Sequence, residues 1–248
     1  LDQQVAPELR HPVLYLPTDV SSPAALAVGR KVTDRATPTR RGVRRWDEQV
    51  PGEPGDPEVP VVVYERPDRA RQSAAVVWIH GGGMIMGTPA SAHEWCSRLA
   101  DELDVLVVSV DYRLAPEHPF PAGLHDCHAA LAWVHEHAED LGVDPDRVAV
   151  GGDSAGGGLA ASLAQLAHDR ASHPICFQLL VYPMLDDRTA VGEGPDTSIW
   201  TRASNRFAWT AYLGHEPTLA AERPHAAPAR REDLTGLPPA WIGVGDID

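Results

Sequence analysis

The protein has 248 residues, 43% hydrophobic and 23% charged, the proportions of one globular domain, which exclude a disordered or fibrous chain. Its 21 Lys and Arg against 35 Asp and Glu give a formal net charge of -14, which repels a nucleic-acid backbone and removes DNA and RNA from the expected partners. Apolar runs such as 105–110 fall far short of the ~20 residues of a membrane helix, and three widely spaced cysteines, Cys96, Cys127 and Cys176, argue for a reducing compartment over a disulfide framework.

The chain opens at Leu1 with no basic segment followed by an apolar one, so no signal peptide is read and a cytoplasmic location is expected. Residues 1–38 are helical or irregular in character. Beyond them, β-branched residues predict strands over 59–65 and 74–80. A helix comes next. Ser91 and Glu94 have capping-box spacing, and Ala92, Trp95 or Cys96, Leu99 and Leu103 recur on one face. The alternation continues with a strand over 105–111, a helix carrying Leu124, Cys127, Leu131, Val134 and Ala138, and a strand over 147–151. A helix with Leu159, Leu163 and Leu166 and a strand over 176–182 follow. Residues 185–228 break this rhythm and scatter Trp200, Phe207, Trp209 and Tyr212. A last strand over 240–245 leads into Asp246-Ile247-Asp248. Repeated βα units with apolar strands predict an α/β fold whose mostly parallel sheet is covered by helices on both faces. One domain, 1–248, is expected, with its core at 39–184 and 229–248. Residues 1–38 and 185–228 read as a cap over the sheet end where open α/β proteins place their sites, or else as decorating loops.

The sharpest motif is Gly152-Asp153-Ser154-Ala155-Gly156, a G-x-S-x-G pattern between a predicted strand and a predicted helix. A strand that turns abruptly into a helix strains the turn residue and needs small neighbours, and it leaves Ser154 projecting as a nucleophile would. The plainer reading is a glycine-rich turn whose serine caps the helix. Asp153 is read as structural, with substrate or loop positioning as its alternative. A second motif, His80-Gly81-Gly82-Gly83, directly follows a predicted strand. Its side-chain-free amides at Gly82 and Gly83, with that of Ala155, can converge on one oxygen as an oxyanion hole, where losing a single donor costs about 3–4 kcal/mol of barrier.

With Asp111-Tyr112-Arg113-Leu114-Ala115-Pro116-Glu117 and Tyr182-Pro183-Met184-Leu185-Asp186-Asp187-Arg188, these motifs make residues from about 55 to 248 resemble the hormone-sensitive-lipase-like carboxylesterases of the α/β-hydrolase fold. The resemblance implies Ser154 as nucleophile, Gly82, Gly83 and Ala155 as oxyanion donors, and a helical cap to which the N-terminal region contributes. Met84 stands where the family often has an aromatic residue. The family's triad order, Ser then acid then His, implies that Asp248, rather than Asp246, orients the histidine.

All twelve histidines lie upstream of Asp248, a departure from the family. His80 is read as fixing the glycine loop. His125 and His128 are one helical turn apart beside Cys127, and zinc needs three or four converging ligands; they read as the polar edge of an amphipathic helix, and no metal is expected. His215 and His225 are read as surface residues. The resemblance therefore implies a last strand, a last helix and a His-bearing loop beyond residue 248, and little or no turnover by these 248 residues alone. The expected function is a serine carboxylesterase acting on small to medium esters through an acyl-enzyme, without cofactor. The expected partner is the small-molecule ester, with no nucleic acid and no membrane span, and an exposed sheet edge would allow a homodimer. An amidase or peptidase on the same fold, or a non-catalytic ligand-binding protein, are the alternatives.

Overall fold

The computed structural model describes residues 19–192 and 199–245. Its centre is a seven-stranded sheet in the order β1-β2-β4-β3-β5-β6-β7, formed by Arg44–Val50, Val59–Glu65, Leu106–Val110, Ser73–Ile79, Val143–Asp153, Phe177–Val181 and Ala240–Gly243 respectively. β1 and β2 pair antiparallel, as do β2 and β4. All the remaining pairings are parallel. The sheet is thus mostly parallel.

The strand period of two sorts the core into layers. In β3, Ala75, Val77 and Ile79 face one cluster with Leu124, Leu131, Leu159 and Leu163, supplied by α3 (Ala122–Glu136) and α5 (Ala155–Asp169). Trp78 faces the other, with Tyr64, Cys96, Leu99, Ala100 and Val107, where α2 (His93–Leu103) packs. Helices therefore cover both faces. A four-residue helix, α4 (Ala138–Leu141), links α3 to β5.

α2 departs from expectation at both ends. The capping box does not form, because a 3-10 turn, Pro89–Ala92, precedes the helix and the Ser91 hydroxyl donates instead to Thr88 O at 2.8 Å. Thr37, brought in from the segment before β1, accepts the Glu94 amide at 3.0 Å. Leu103 is 60% exposed and Trp95 39%, so the buried stripe narrows to Cys96, Leu99 and Ala100.

Two further helices lie at the carboxyl ends of the strands. α1 (Pro23–Thr33) starts on Ser22, whose hydroxyl accepts the Ala25 amide. α6 (Arg202–Leu213) starts on Thr201, which accepts from Ser204, and ends at Gly214. The Val20 amide donates to the buried Ser204 hydroxyl at 2.8 Å, tying the approach to α1 onto α6. Ala208, Trp209, Tyr212 and Leu213 of α6 join the larger cluster. The Phe120 amide, in the segment that enters α3, donates to Tyr212 O at 2.7 Å. Cys96 and Cys127 are buried free thiols, and Cys176 is an exposed one. Among the described residues, no helix is long and apolar enough to cross a membrane.

Candidate active site

Register brings the two glycine motifs together. β3 and β5 are parallel neighbours with Ile79 opposite Gly152, so the His80–Gly83 loop and the Asp153-Ser154 turn leave the sheet side by side. Ser154 sits between β5 and α5 with φ 53° and ψ -117°, a left-handed conformation that costs a non-glycine residue about 1–3 kcal/mol. Three main-chain bonds hold it there. Its amide donates to Val181 O at 2.9 Å, and its carbonyl accepts from Gly158 and Met184 at 3.1 and 2.8 Å. At Gly156 a Cβ would collide with the carbonyl oxygens of Ile79 and His80, so only glycine lets α5 start this close to β3.

The Ser154 side chain makes no capping bond to α5, which rules out the plain helix-cap reading. Instead it lines a cavity of about 530 Å³ with Tyr182, Met184, Asp186, Thr189, Trp200, Arg202, Asn205 and Val244 among its walls. Tyr182, Met184 and Asp186 belong to the 182–188 stretch that the family resemblance singles out, Thr189, Trp200, Arg202 and Asn205 to the 185–228 segment read as a cap, and Val244 to the last strand expected over 240–245. Gly83 backs onto this cavity, since a side chain there would overlap the Trp200 ring.

The glycine loop is braced from below. The His80 ring is 1% exposed, stacks on Tyr112 at 4.4 Å and shares a 2.8 Å hydrogen bond from Nδ1 to Gly81 O. The Tyr112 hydroxyl donates to His80 O at 3.0 Å. Burial drives the imidazole down to about 4, so His80 is neutral at physiological pH and locked in the loop's foundation. Asp153 accepts the Gly81 amide, and burial pushes its carboxyl up to about 6. Within the loop, the Ile85 and Met86 amides both donate to Gly82 O, at 3.1 and 3.0 Å. Met84 is 3% exposed and belongs to the main core.

The remaining candidates lie elsewhere. His125 and His128 pair with Asp56 at 3.2 Å and Glu53 at 3.0 Å. Asp126 on the same helix binds Arg113 at 2.7 Å, so this edge of α3 is a satisfied polar network. Among the described residues no cluster of three or more His, Cys, Asp or Glu could hold a metal. His215 pairs with Glu222 at 3.1 Å and is half exposed, whereas His225 is mostly covered and pairs with Asp169 at 2.8 Å. None of the described histidines lines the Ser154 cavity. Asp246 and Asp248 lie outside the described residues.

The chain is similar to known proteins. A family model described as alpha/beta hydrolase fold matches residues 76–248. Esterase LipI of Mycobacterium tuberculosis is 43% identical over 185 residues, covering 73% of this chain and 57% of that protein. Carboxylesterase NlhH of the same organism is 42% identical over 209 residues, covering 82% and 65%. The chain therefore spans less than two thirds of the length of these relatives. A solved structure titled bacterial heroin esterase superposes with a TM-score of 0.83 at 38% identity, covering 94% of this chain and 78% of that one. Esterase LipW from Mycobacterium marinum gives 0.81 at 34%, covering 97% and 76%. The match over most of the chain, together with a strained serine beside a triple-glycine loop, means that this protein belongs to the α/β-hydrolase-fold family, in its hormone-sensitive-lipase-like esterase group.

Proposed function

We propose that the protein is a serine carboxylesterase hydrolysing small to medium carboxylic esters through an acyl-enzyme. One observation carries the reading: Ser154 makes no helix-capping bond, lines a cavity and is held at φ 53° and ψ -117°, the strained backbone typical of functional turns. In this mechanism Ser154 Oγ attacks the ester carbonyl and gives its proton to a histidine outside the described residues. Asp248 holds that imidazole in its productive tautomer. The carbonyl oxygen becomes an oxyanion held by the amides of Gly82, Gly83 and Ala155. Support comes from the loop itself. With Gly82 O engaged by two amides inside the loop, the trans peptide turns the Gly83 N–H the opposite way. Ala155 is the first residue of α5, so its amide belongs to the electropositive end of that helix. Collapse of the adduct expels the alcohol, and water then releases the acid and restores Ser154.

The reading makes residues 1–38 and 185–228 a cap that walls the acyl site, supported by the contribution of Thr189, Trp200, Arg202 and Asn205 to the cavity. Buried free thiols at Cys96 and Cys127 support a reducing, cytoplasmic setting. The test is hydrolysis of p-nitrophenyl esters against matched anilides by the full-length protein. Esters should turn over in preference to anilides, and Ser154→Ala should lower kcat by at least ~10⁴-fold. Undiminished turnover in Ser154→Ala, or no covalent labelling of Ser154 by an organophosphate, overturns the proposal.

A further inference from the structure

Arg30, on the outer helix α1, is bonded to main chain near the candidate site. Its Nε donates to Ile85 O at 2.8 Å and its Nη2 to Ala115 O at 3.0 Å. Its two Nη atoms also reach Glu117, at 2.8 and 2.7 Å. The two carbonyls belong to segments already joined, because the Ala115 amide donates to Met84 O at 3.0 Å. One guanidinium therefore fastens α1, the loop following His80 and the 111–117 segment to one another. The same helix lies against Met86, whose sulfur is 3.1 Å from where a Gly29 side chain would begin.

The ion pair with Glu117 does not account for this geometry. Glu117 is 54% exposed and Arg30 28%, and a pair so open to water is worth little by itself. The bonds to main chain are different in kind. Ile85 is fully buried, and its neighbour Met86 shares with it the carbonyl of Gly82. A shift at Ile85 O is thus passed through one turn of chain to the peptide that carries the Gly83 amide. Only a planar fork of donors reaches two carbonyls and a carboxylate at once, which an ammonium cannot do.

We propose that Arg30 is a positioning residue, a latch by which α1 holds residues 82–87 so that the Gly82 and Gly83 amides stay aimed at the substrate oxygen beside Ser154. The inference rests on the esterase reading for its catalytic consequence but not for the latch itself. Arg30→Gln, Arg30→Lys and Glu117→Gln in the full-length protein separate the two. The first readout is amide hydrogen exchange over 82–87, which needs no activity. The second is kcat and KM on a p-nitrophenyl ester, with the rate of organophosphate labelling at Ser154. Arg30→Gln should speed exchange over 82–87 by about tenfold or more and lower kcat and the labelling rate by about 10-fold to 100-fold, with KM within about twofold. Arg30→Lys should recover part of that loss. Glu117→Gln, which leaves both carbonyl bonds in place, should lose less than about threefold. Wild-type exchange over 82–87 in Arg30→Gln overturns the latch, as does a loss in Glu117→Gln equal to that in Arg30→Gln. Accelerated exchange in a protein that never hydrolyses esters upholds the latch and defeats the esterase reading instead.

Discussion

Ser154 sits in a conformation that its own side chain disfavours, with φ at 53°, and the surrounding chain supplies what keeps it there: the carbonyl of Val181 and the amides of Gly158 and Met184. The strain has a measurable signature. Replacing the serine by alanine removes the hydroxyl but keeps Cβ, whereas glycine removes the steric conflict as well. Ser154→Gly should therefore be more stable than Ser154→Ala by about 1 kcal/mol, seen as a higher Tm, with both variants equally inactive. Equal melting temperatures would mean that the turn is unstrained and that the serine is not held out against its preference. This residue and the glycine loop were legible in the sequence because their constraint is local: small residues at fixed offsets are what a close backbone approach demands. The walls of the cavity carry no such local rule. Arg30 and Ile85 meet across 55 positions, and neither belongs to a pattern that would announce the contact.

At the scale of elements, one side of the cavity is anchored by a buried ion pair. Asp187, 0% exposed, begins the 3-10 turn Asp187–Ala190 that follows the 182–186 wall, and it binds Arg230 at 2.6 and 2.7 Å. Arg230 also donates to Thr218 O and Ala220 O, so the pair gathers the segment between α6 and β7 onto the cavity wall. Removing one partner strands a charge in a place with little water. Asp187→Ala should cost about 3–5 kcal/mol in denaturant unfolding. Adding Arg230→Ala should cost less than the sum of the two single changes, since the double variant leaves no orphan ion. Strict additivity would show the pair to be energetically idle. Edge elements show where sequence patterning runs out. β1, with the sequence Arg44-Arg45-Trp46-Asp47-Glu48-Gln49-Val50, buries only Val50, so it carries no period-two apolar signal. The inner strands β3 and β4, buried along most of their length, were read directly. The start of α2 escapes pattern reading for a related reason: its Glu94 amide is bonded by Thr37, far away in sequence.

For the molecule as a whole, burial of titrating groups shapes how stability responds to acid. His80 and His128 both lie near 4, His80 through burial and His128 through burial with the nearby Arg170 cation, against the pull of Glu53. Asp153 lies near 6 through burial. An unfolded chain takes up protons on both histidines as pH falls through about 6.5, while the folded chain leaves them neutral until about pH 4. Asp153 acts the other way, taking its proton in the folded chain near pH 6 and in the unfolded chain only near 3.9. These three groups alone leave the unfolded state about one proton richer than the native state between pH 6 and 4, a fall of about 1.4 kcal/mol for each unit of acidification; His93 and His135, also lowered by burial, add to it and Asp111, raised by burial, opposes it. The carboxyls of Glu117 and Asp169, held at about 2 by Arg30 and Arg231, add only a small further loss at lower pH, because both pairs are open to water. The neighbours of His128 identify its share: Glu53 and Arg170 contact it directly, with His125 and His173 close by. His128→Gln removes one of these histidine protons, so the slope between pH 6 and 4 should become shallower by about 1.4 kcal/mol for each pH unit. Urea unfolding at half-unit intervals of pH measures this, and an unchanged slope in His128→Gln would place the acid sensitivity of the fold on other groups.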